Sequence, residues 1–185
     1  MTADQRRAAL VERLADHVLV HGLGSATLRP LAAAVGTSDR MLLYYFPDKA
    51  ALVAAILITV AARMTVLLDA HRVAAPLSAD ALHAQLLPLV LDDALWPFMQ
   101  LWLEIAAHAA RGDAVYRRVG EGIARGFVAW LAPQIAAVTA SSAQADAVRL
   151  LMSIEGGVLL KSLGLGAEVA AASLGHLLPP SRRPG

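Results

Sequence analysis

The sequence predicts an all-α protein of about nine or ten helices, two of them short and joined by a tight turn near the N-terminus. Three observations carry that expectation. Apolar residues recur every three or four positions, as in Leu52, Ile56, Val60 and Met64. The chain is 57% apolar, and much of that is Ala, which favours helix and buries little area per residue. No run of β-branched residues and no Gly-rich strand alternation competes with the helical reading. At 185 residues the chain suffices for a small N-terminal module and one further core-bearing domain.

The first helix spans Gln5 to His21 and is closed by Gly22. Thr27 is placed to cap a short second helix, its hydroxyl accepting from a first-turn amide. Pro30 is tolerated there, because N–H groups in a first turn have no intrahelical partner. Leu31, Ala32 and Val35 give this helix an apolar face, and Gly36 supplies the position that a sharp turn needs. Ser38 caps the next helix, Asp39 to Tyr45; Pro47 forces Phe46 out of helical geometry and ends it. Asp48 starts another helix, with Pro47 and Leu52 placed to pack across its first turn. Two helices meeting across a Gly turn make a helix-turn-helix.

The block from Thr27 to Leu52 resembles the N-terminal domain of the TetR family of transcriptional regulators. The family pattern is Thr-x-x-x-(Ile/Leu)-Ala-x-x-(Ala/Val)-Gly-(Val/Thr)-Ser, then an aromatic-rich helix ending in Phe, then x-x-Lys-x-x-Leu. Thr27, Leu31, Ala32, Val35, Gly36, Thr37, Ser38, Tyr44, Tyr45, Phe46, Lys49 and Leu52 hold those places. With Gln5–His21 as the first helix, the resemblance covers a little over a quarter of the chain. Arg40 stands where a small residue is usual, and Leu43 where a Tyr is usual.

The resemblance implies a DNA-binding domain over residues 1–47, a helical regulatory domain over 48–178 and a disordered tail over 179–185. A recognition helix presents its N-terminal residues to base edges, here Asp39 and Arg40, just after the capping Ser38. Arg can make a bidentate contact to guanine, and Asp can accept from a cytosine amino group. Arg29 matches a family position that reaches a base or phosphate. Thr27, Tyr45 and Lys49 match backbone-contacting positions, with Tyr44 against the sugar-phosphate, whereas Leu43 has no hydrogen bond to give. The alternative for Arg29, Asp39 and Arg40 is a solvated surface charge; for the others it is that Thr27 is only a cap and one Tyr only core, though Thr27 can be cap and contact at once. Arg6 and Arg7 are candidates for phosphate contacts from a flexible N-terminal arm.

Beyond this block, the helix begun at Asp48 carries the stripe Leu52, Ile56, Val60, Met64 and Leu67. Pro76 and Ser78 mark its end and the next start; Ala79–Leu91 is helical, with Pro88 expected to kink or break it. Asp92 and Asp93 cap a restart that runs past Pro97 to Ala110, where Gly112 breaks it. Asp113 to about Ile135 is long, with Val115, Val119, Ile123, Phe127 and Trp130 on one side. Ser141 and Ser142 cap a helix to Leu163 whose inner stripe includes Ala147, Leu151, Ile154 and Val158, and Ala167–Leu178 is the last. Gly120, Gly122, Gly126, Gly156 and Gly157 lie inside these two long helices at a cost of roughly 0.8–1 kcal/mol each, which suggests compensating close packing. Family resemblance implies a homodimer through a four-helix bundle built from these two helices of each subunit. Val119, Ile123, Gly126, Trp130, Leu151, Ile154 and Val158 are then its interface, the alternative being ordinary intrachain packing.

The stretch His83–His108 combines Leu87, Leu91, Trp96, Met99 and Trp102 with few polar groups, His83, Gln100, Glu104 and His108. That mixture suits a ligand pocket for a small-molecule effector, with Met64 contributing from the preceding helix. About half of such a stripe is expected to be plain core. Glu104, flanked by Trp102 and Ile105, either faces solvent or is buried with a partner. His17 and His21 have metal-chelating i, i+4 spacing, but Val-Leu-Val between them lacks the Glu of a zinc protease, so a structural pair is expected.

Zero cysteines exclude disulfides and thiolate metal sites. No cofactor or metal is expected, and no P-loop, GxSxG elbow or complete GxGxxG is present, so an enzyme is not expected. The net charge of +1 gives no basic field, so affinity for nucleic acid must come from placed contacts and dimeric avidity. Ala50–Ala62 is shorter than the roughly 18–20 apolar residues of a membrane span, and no secretory leader is legible, so a cytoplasmic protein without membrane contact is expected. The expectation is a ligand-responsive, sequence-specific repressor of double-stranded operator DNA. The alternatives are a helical small-molecule-binding or scaffold protein without sequence-specific DNA binding, and a helical enzyme.

Overall fold

The computed structural model describes residues 2–175. Among them run nine α-helices and no strand: α1 (Ala3–His21), α2 (Leu28–Ala34), α3 (Asp39–Tyr45), α4 (Lys49–Asp69), α5 (Ala79–Val90), α6 (Trp96–Ala110), α7 (Ala114–Leu131), α8 (Ala140–Ser162) and α9 (Gly166–Gly175). Short 3₁₀ turns follow α1 at Leu23–Ser25 and α7 at Ala132–Gln134. The fold is all-α, as expected.

Helix starts follow local chemistry. Thr2 and Gln5 form a reciprocal capping box, so α1 begins at Ala3 rather than Gln5. Asp48 accepts from the Ala51 amide at 2.7 Å, and Asp113 from those of Val115 and Tyr116 at 2.9 and 3.3 Å. The α8 cap is Thr139, not Ser141 or Ser142: Ser142 is the third helical residue, and its hydroxyl returns to the Thr139 amide at 3.0 Å. Pro88 does not break α5; it lies exposed in the last turn, where it removes the N–H that would donate to the Ala84 carbonyl and only Leu89 and Val90 follow it in the helix. Beyond Leu131 the chain tightens into the 3₁₀ turn containing Pro133, so α7 stops short of Ile135. The last helix begins at Gly166; its expected end at Leu178 and the tail 179–185 lie outside the described residues.

Two compact units divide the chain. The first joins residues up to His71 with Pro97–Arg125, and the second joins Arg72–Trp96 with the described residues from Gly126 onward. Compactness therefore does not divide the chain at residue 47, because α1 packs along α4. The first core gathers Leu14, Val18, Leu31, Leu42, Phe46, Leu52, Ile56 and Leu57, with Leu101, Ile105 and Val119 from α6 and α7. Burying one such side chain contributes about 1.5–3 kcal/mol. Leu68, not Leu67, continues the buried stripe of α4, since four-residue steps from Met64 reach 68. Arg63 of α4 forks onto α1: Nε donates to Glu12 at 2.9 Å, Nη1 to Asp16 at 2.7 Å and Nη2 to the Glu12 carbonyl at 2.8 Å. Burial works against this charge, but the bonds to Glu12 and Asp16 outweigh it and raise the Arg63 pKa. By length and composition α4 is also apolar enough to cross a membrane; its seven buried side chains and this ion pair fit a core helix.

In the second unit α5 packs on α8, and α9 contacts both. Gln134 is buried and satisfied: its amide donates to the Trp130 carbonyl at 3.0 Å and accepts from the Val73 amide at 3.1 Å. Two of the five helical glycines are closely packed. A Cβ on Gly157 would sit 2.8 Å from Leu87 Cδ1, and one on Gly120 3.3 Å from Ile105 Cγ2. Gly122, Gly126 and Gly156 instead face open space in the protomer, so intrachain packing does not explain them.

Candidate nucleic-acid interface

The helix-turn-helix is held from behind and open in front. Leu42 and Phe46 are fully buried in the first core and α3 packs on α2, while Gly36 makes the turn at φ +67°. Ser38 starts α3 by accepting from the Met41 amide at 3.3 Å. That leaves Asp39, Arg40, Leu43 and Tyr44 exposed, Tyr44 at 75%. Tyr45 is half-buried and meets Tyr44 edge-on, their ring centres 5.2 Å apart. Arg29 on α2 and Lys49 at the start of α4 are exposed as well.

Thr27 stands at the N-cap position of α2 with extended backbone, but its hydroxyl makes no capping bond, and it is exposed. The expected cap is therefore absent, and the hydroxyl is available to a phosphate. Arg6 and Arg7 lie within α1 rather than on a flexible arm, and the Arg7 guanidinium sits 4.6 Å from the Phe46 ring centre.

A model of the bacterial regulatory proteins of the tetR family matches residues 15–56, the segment that builds α2, α3 and the start of α4. The chain carries a tetR-family domain over residues 15–56. It is a DNA-binding transcriptional regulator, and the side chains above are the exposed part of its TetR-type domain. A candidate TetR-family transcriptional regulator from Rhodococcus sp. is similar at 19% identity over 94% of this chain and 97% of its own, with a TM-score of 0.69. A transcriptional regulator from Rhodococcus sp. Rha1 is similar at 22% identity over 90% and 91%, TM-score 0.68. A candidate regulator from Pseudomonas aeruginosa PAO1 is similar at 21% identity over 96% and 92%, TM-score 0.66. These likenesses extend the TetR fold over the whole described chain. No curated protein matches it.

The residues expected to line one effector pocket are divided between the two units. Met64, Met99, Gln100, Trp102, Glu104 and His108 belong to the first unit, and His83, Leu87, Leu91 and Trp96 to the second. Met64 and Met99 are core, Gln100 is exposed, and His108 stacks on Tyr116 at 4.6 Å. Burial, then the charges of Asp113 and Glu104, push the Tyr116 hydroxyl above its ordinary pKa and keep it protonated. Glu104 is half-buried with a partner: its Oε2 accepts from the Leu23 amide at 2.7 Å. Trp96 lies under the Lys161 ammonium, 4.3 Å from its ring centre.

Within the second unit, α5, α8 and α9 enclose two mostly apolar grooves of about 500 and 460 Å³. His83 and Leu87 line the first, where His83 Nε2 meets the Ser153 hydroxyl at 2.9 Å; Leu87, Leu91 and Lys161 line the second. Ser153, Glu168 and Lys161 are polar lining residues that sequence reasoning missed, because they join α5 only through the packing of α8 and α9.

Of the side chains expected at a dimer interface, Val119, Trp130, Ile154 and Val158 are buried within the protomer, and Ile123 is packed against the first core. Leu151 is half-buried, and Gly126 is exposed with open space before it. Val148, Met152 and Leu159 of α8, with Leu163 at its C-cap, are exposed apolar residues at spacings that share one helix face, with the uncrowded Gly156 among them. Among the described residues no group of three or more His, Cys, Asp and Glu is placed to hold a metal. His17 and His21 are in ring contact at 4.5 Å, with His17 Nε2 shielded and without a hydrogen-bond partner.

Proposed function

We propose that this chain is a homodimeric, ligand-responsive repressor, acting by binding rather than turnover in the cytoplasm, where its DNA target lies. The observation that carries the DNA reading is the exposed set Arg29, Asp39, Arg40 and Tyr44 on a helix-turn-helix whose own core is closed behind it. Arg40 and Asp39 read base edges, Arg29 a base or phosphate, and Thr27, Tyr44, Tyr45 and Lys49 the backbone. Ser38 holds the helix start at that surface.

Dimerisation is assigned to the apolar face of α8, Val148, Met152, Leu159 and Leu163, rather than to the side chains buried in the protomer. Two-fold pairing sets two recognition helices about one DNA turn, or a multiple of it, apart on a near-palindromic site. An effector lodged among α5, α8 and α9, against Leu87, Leu91, His83 or Lys161, changes that separation by preferring one of two dimer geometries. The coupling needed is typically 1–3 kcal/mol.

The test is selection of duplexes from a randomised pool by the purified chain, followed by footprinting at several salt concentrations. The expected result is an enriched site with two inverted half-sites and an affinity that falls steeply with salt. A pool that stays unenriched at low salt overturns the reading in favour of a helical ligand-binding or scaffold protein.

A further inference from the structure

We infer that Glu104 of α6 is a positioning residue for DNA recognition, fixing the start of the helix-turn-helix from a site 81 residues away in sequence. The inference rests on the DNA-binding reading above. α1 ends at Gly22, whose φ of +70° turns the backbone sharply. The next amide, Leu23, opens the 3₁₀ turn Leu23–Ser25 and donates to Glu104 Oε2 at 2.7 Å. A carboxylate accepting from a partly buried backbone N–H is a charge-assisted bond, stronger than a neutral one.

The segment it holds has little slack. The Ser25 hydroxyl donates to the Gly22 carbonyl at 2.7 Å, the Ala26 amide to Leu23 at 2.9 Å and the Thr27 amide to Ser25 at 2.8 Å. Leu23 and Ala26 are buried, so the turn is clamped on its inner side as well. Thr27 and Arg29, two of the residues assigned to DNA, follow immediately. Glu104 is held in turn, because Leu101 and Ile105 beside it on α6 are buried in the core that contains Leu14, Val18 and Leu31. The contact is shaped for a glycine: a Cβ at position 22 would come within 2.6 Å of Glu104 Oε1. The carboxylate and the residue that lets the chain approach it are thus matched across two distant stretches of sequence. Any movement of α6 is transmitted to the start of α2 through this bond.

The test compares Glu104→Ala, Glu104→Asp and Glu104→Gln in the full chain. A Gln oxygen can accept the same N–H; an Asp carries the same charge but falls one methylene short. At a temperature well below melting, with active fraction set by stoichiometric titration, Glu104→Ala is expected to bind the wild-type-selected duplex about tenfold more weakly. Glu104→Asp should lie between Glu104→Ala and wild type, and Glu104→Gln should be near wild type. Amide exchange in the DNA-free protein should accelerate over residues 23–27 in Glu104→Ala and be restored by Gln. Wild-type affinity in Glu104→Ala together with unchanged exchange overturns the inference, as does a lower melting temperature with undiminished affinity. If Glu104→Ala does not fold, Glu104→Asp against Glu104→Gln decides by the same readouts. If the wild type enriches no duplex, the DNA reading itself falls, and unchanged exchange over residues 23–27 still overturns the tether separately.

Discussion

The two compact units turn different kinds of surface outward. Around α3 in the first unit, the exposed side chains include Arg29, Asp39, Arg40, Tyr44 and Lys49, groups that hydrogen-bond or carry charge, with Met41 and Leu43 beside them. Along α8 in the second unit, Val148, Met152 and Leu159, with Leu163 at the C-cap, make an exposed apolar face. A partner that is polyanionic and hydrated can be met by separate polar contacts, each worth little until its geometry is fixed. An apolar face instead gains only when water leaves it over a continuous area. On the function proposed above, the same chain meets two partners of opposite chemistry, and DNA is engaged productively once two copies have paired.

Leu159→Asp on α8 tests the apolar side of that comparison and should have the largest effect. A carboxylate set into a closing apolar interface costs about 2–5 kcal/mol, enough to leave a folded monomer at micromolar concentration. Loss of pairing should then lower affinity for a two-half-site duplex by roughly 10²–10⁴-fold. Sedimentation velocity and circular dichroism check both halves of the expectation. Ile58→Asp is the control, because Ile58 on α4 is also exposed at 59% but lies outside the α8 face. A dimeric Leu159→Asp protein, or an equal loss in Ile58→Asp, breaks the assignment.

The legibility of the two units differs for the same physical reason. α3 was readable to the residue, because Ser38 and Pro47 are local signals that bracket it and need nothing from the rest of the fold. The start of α8 was misplaced because Thr139, Ser141 and Ser142 are all competent caps, and only the reciprocal Thr139–Ser142 bonds select one. Both faces of α8 are apolar, so sequence offered two stripes; packing on α5 shows that Ile154 and Val158 belong to the inner one. For Glu104 the sequence leaves two settings open, facing solvent or buried with a partner, and does not disclose the clamp. Its partner is a backbone amide, and every residue type but proline offers one of those.

Arg40→Ala probes the polar surface and should act at intermediate size. Loss of a bidentate base contact costs about 1–3 kcal/mol and relaxes sequence preference at one position of each half-site. Lys49→Ala should instead weaken all duplexes alike and lower the salt slope by about 1 per bound subunit. Fluorescence anisotropy on the selected duplex and on single-base variants separates the two. Uniform weakening by Arg40→Ala would move that residue from base reading to backbone contact.

The smallest expected effect concerns acid, and it separates the units by a half-buried histidine. His17 on α1 has its pKa held below the ordinary 6.5, by burial first and by the neighbouring His21 second. Its ring nitrogen Nε2 is shielded and unpartnered, whereas in the second unit the His83 Nε2 meets the Ser153 hydroxyl. Below pH 6.5 the unfolded chain therefore takes up a proton at His17 that the folded chain resists, so acid favours unfolding. The stability at stake is complete above pH 6.5 and is lost as pH falls toward the lowered folded value. His17→Leu should remove this part of the slope, making the drop in melting temperature between neutral pH and about pH 5.5 smaller by on the order of 1–2 °C. Amide exchange should localise the wild-type loss to α1 and the helices packed on it, with α5 and α8 keeping their protection. An identical slope in wild type and variant would mean that the His17 ring reaches solvent on protonation without opening the first core.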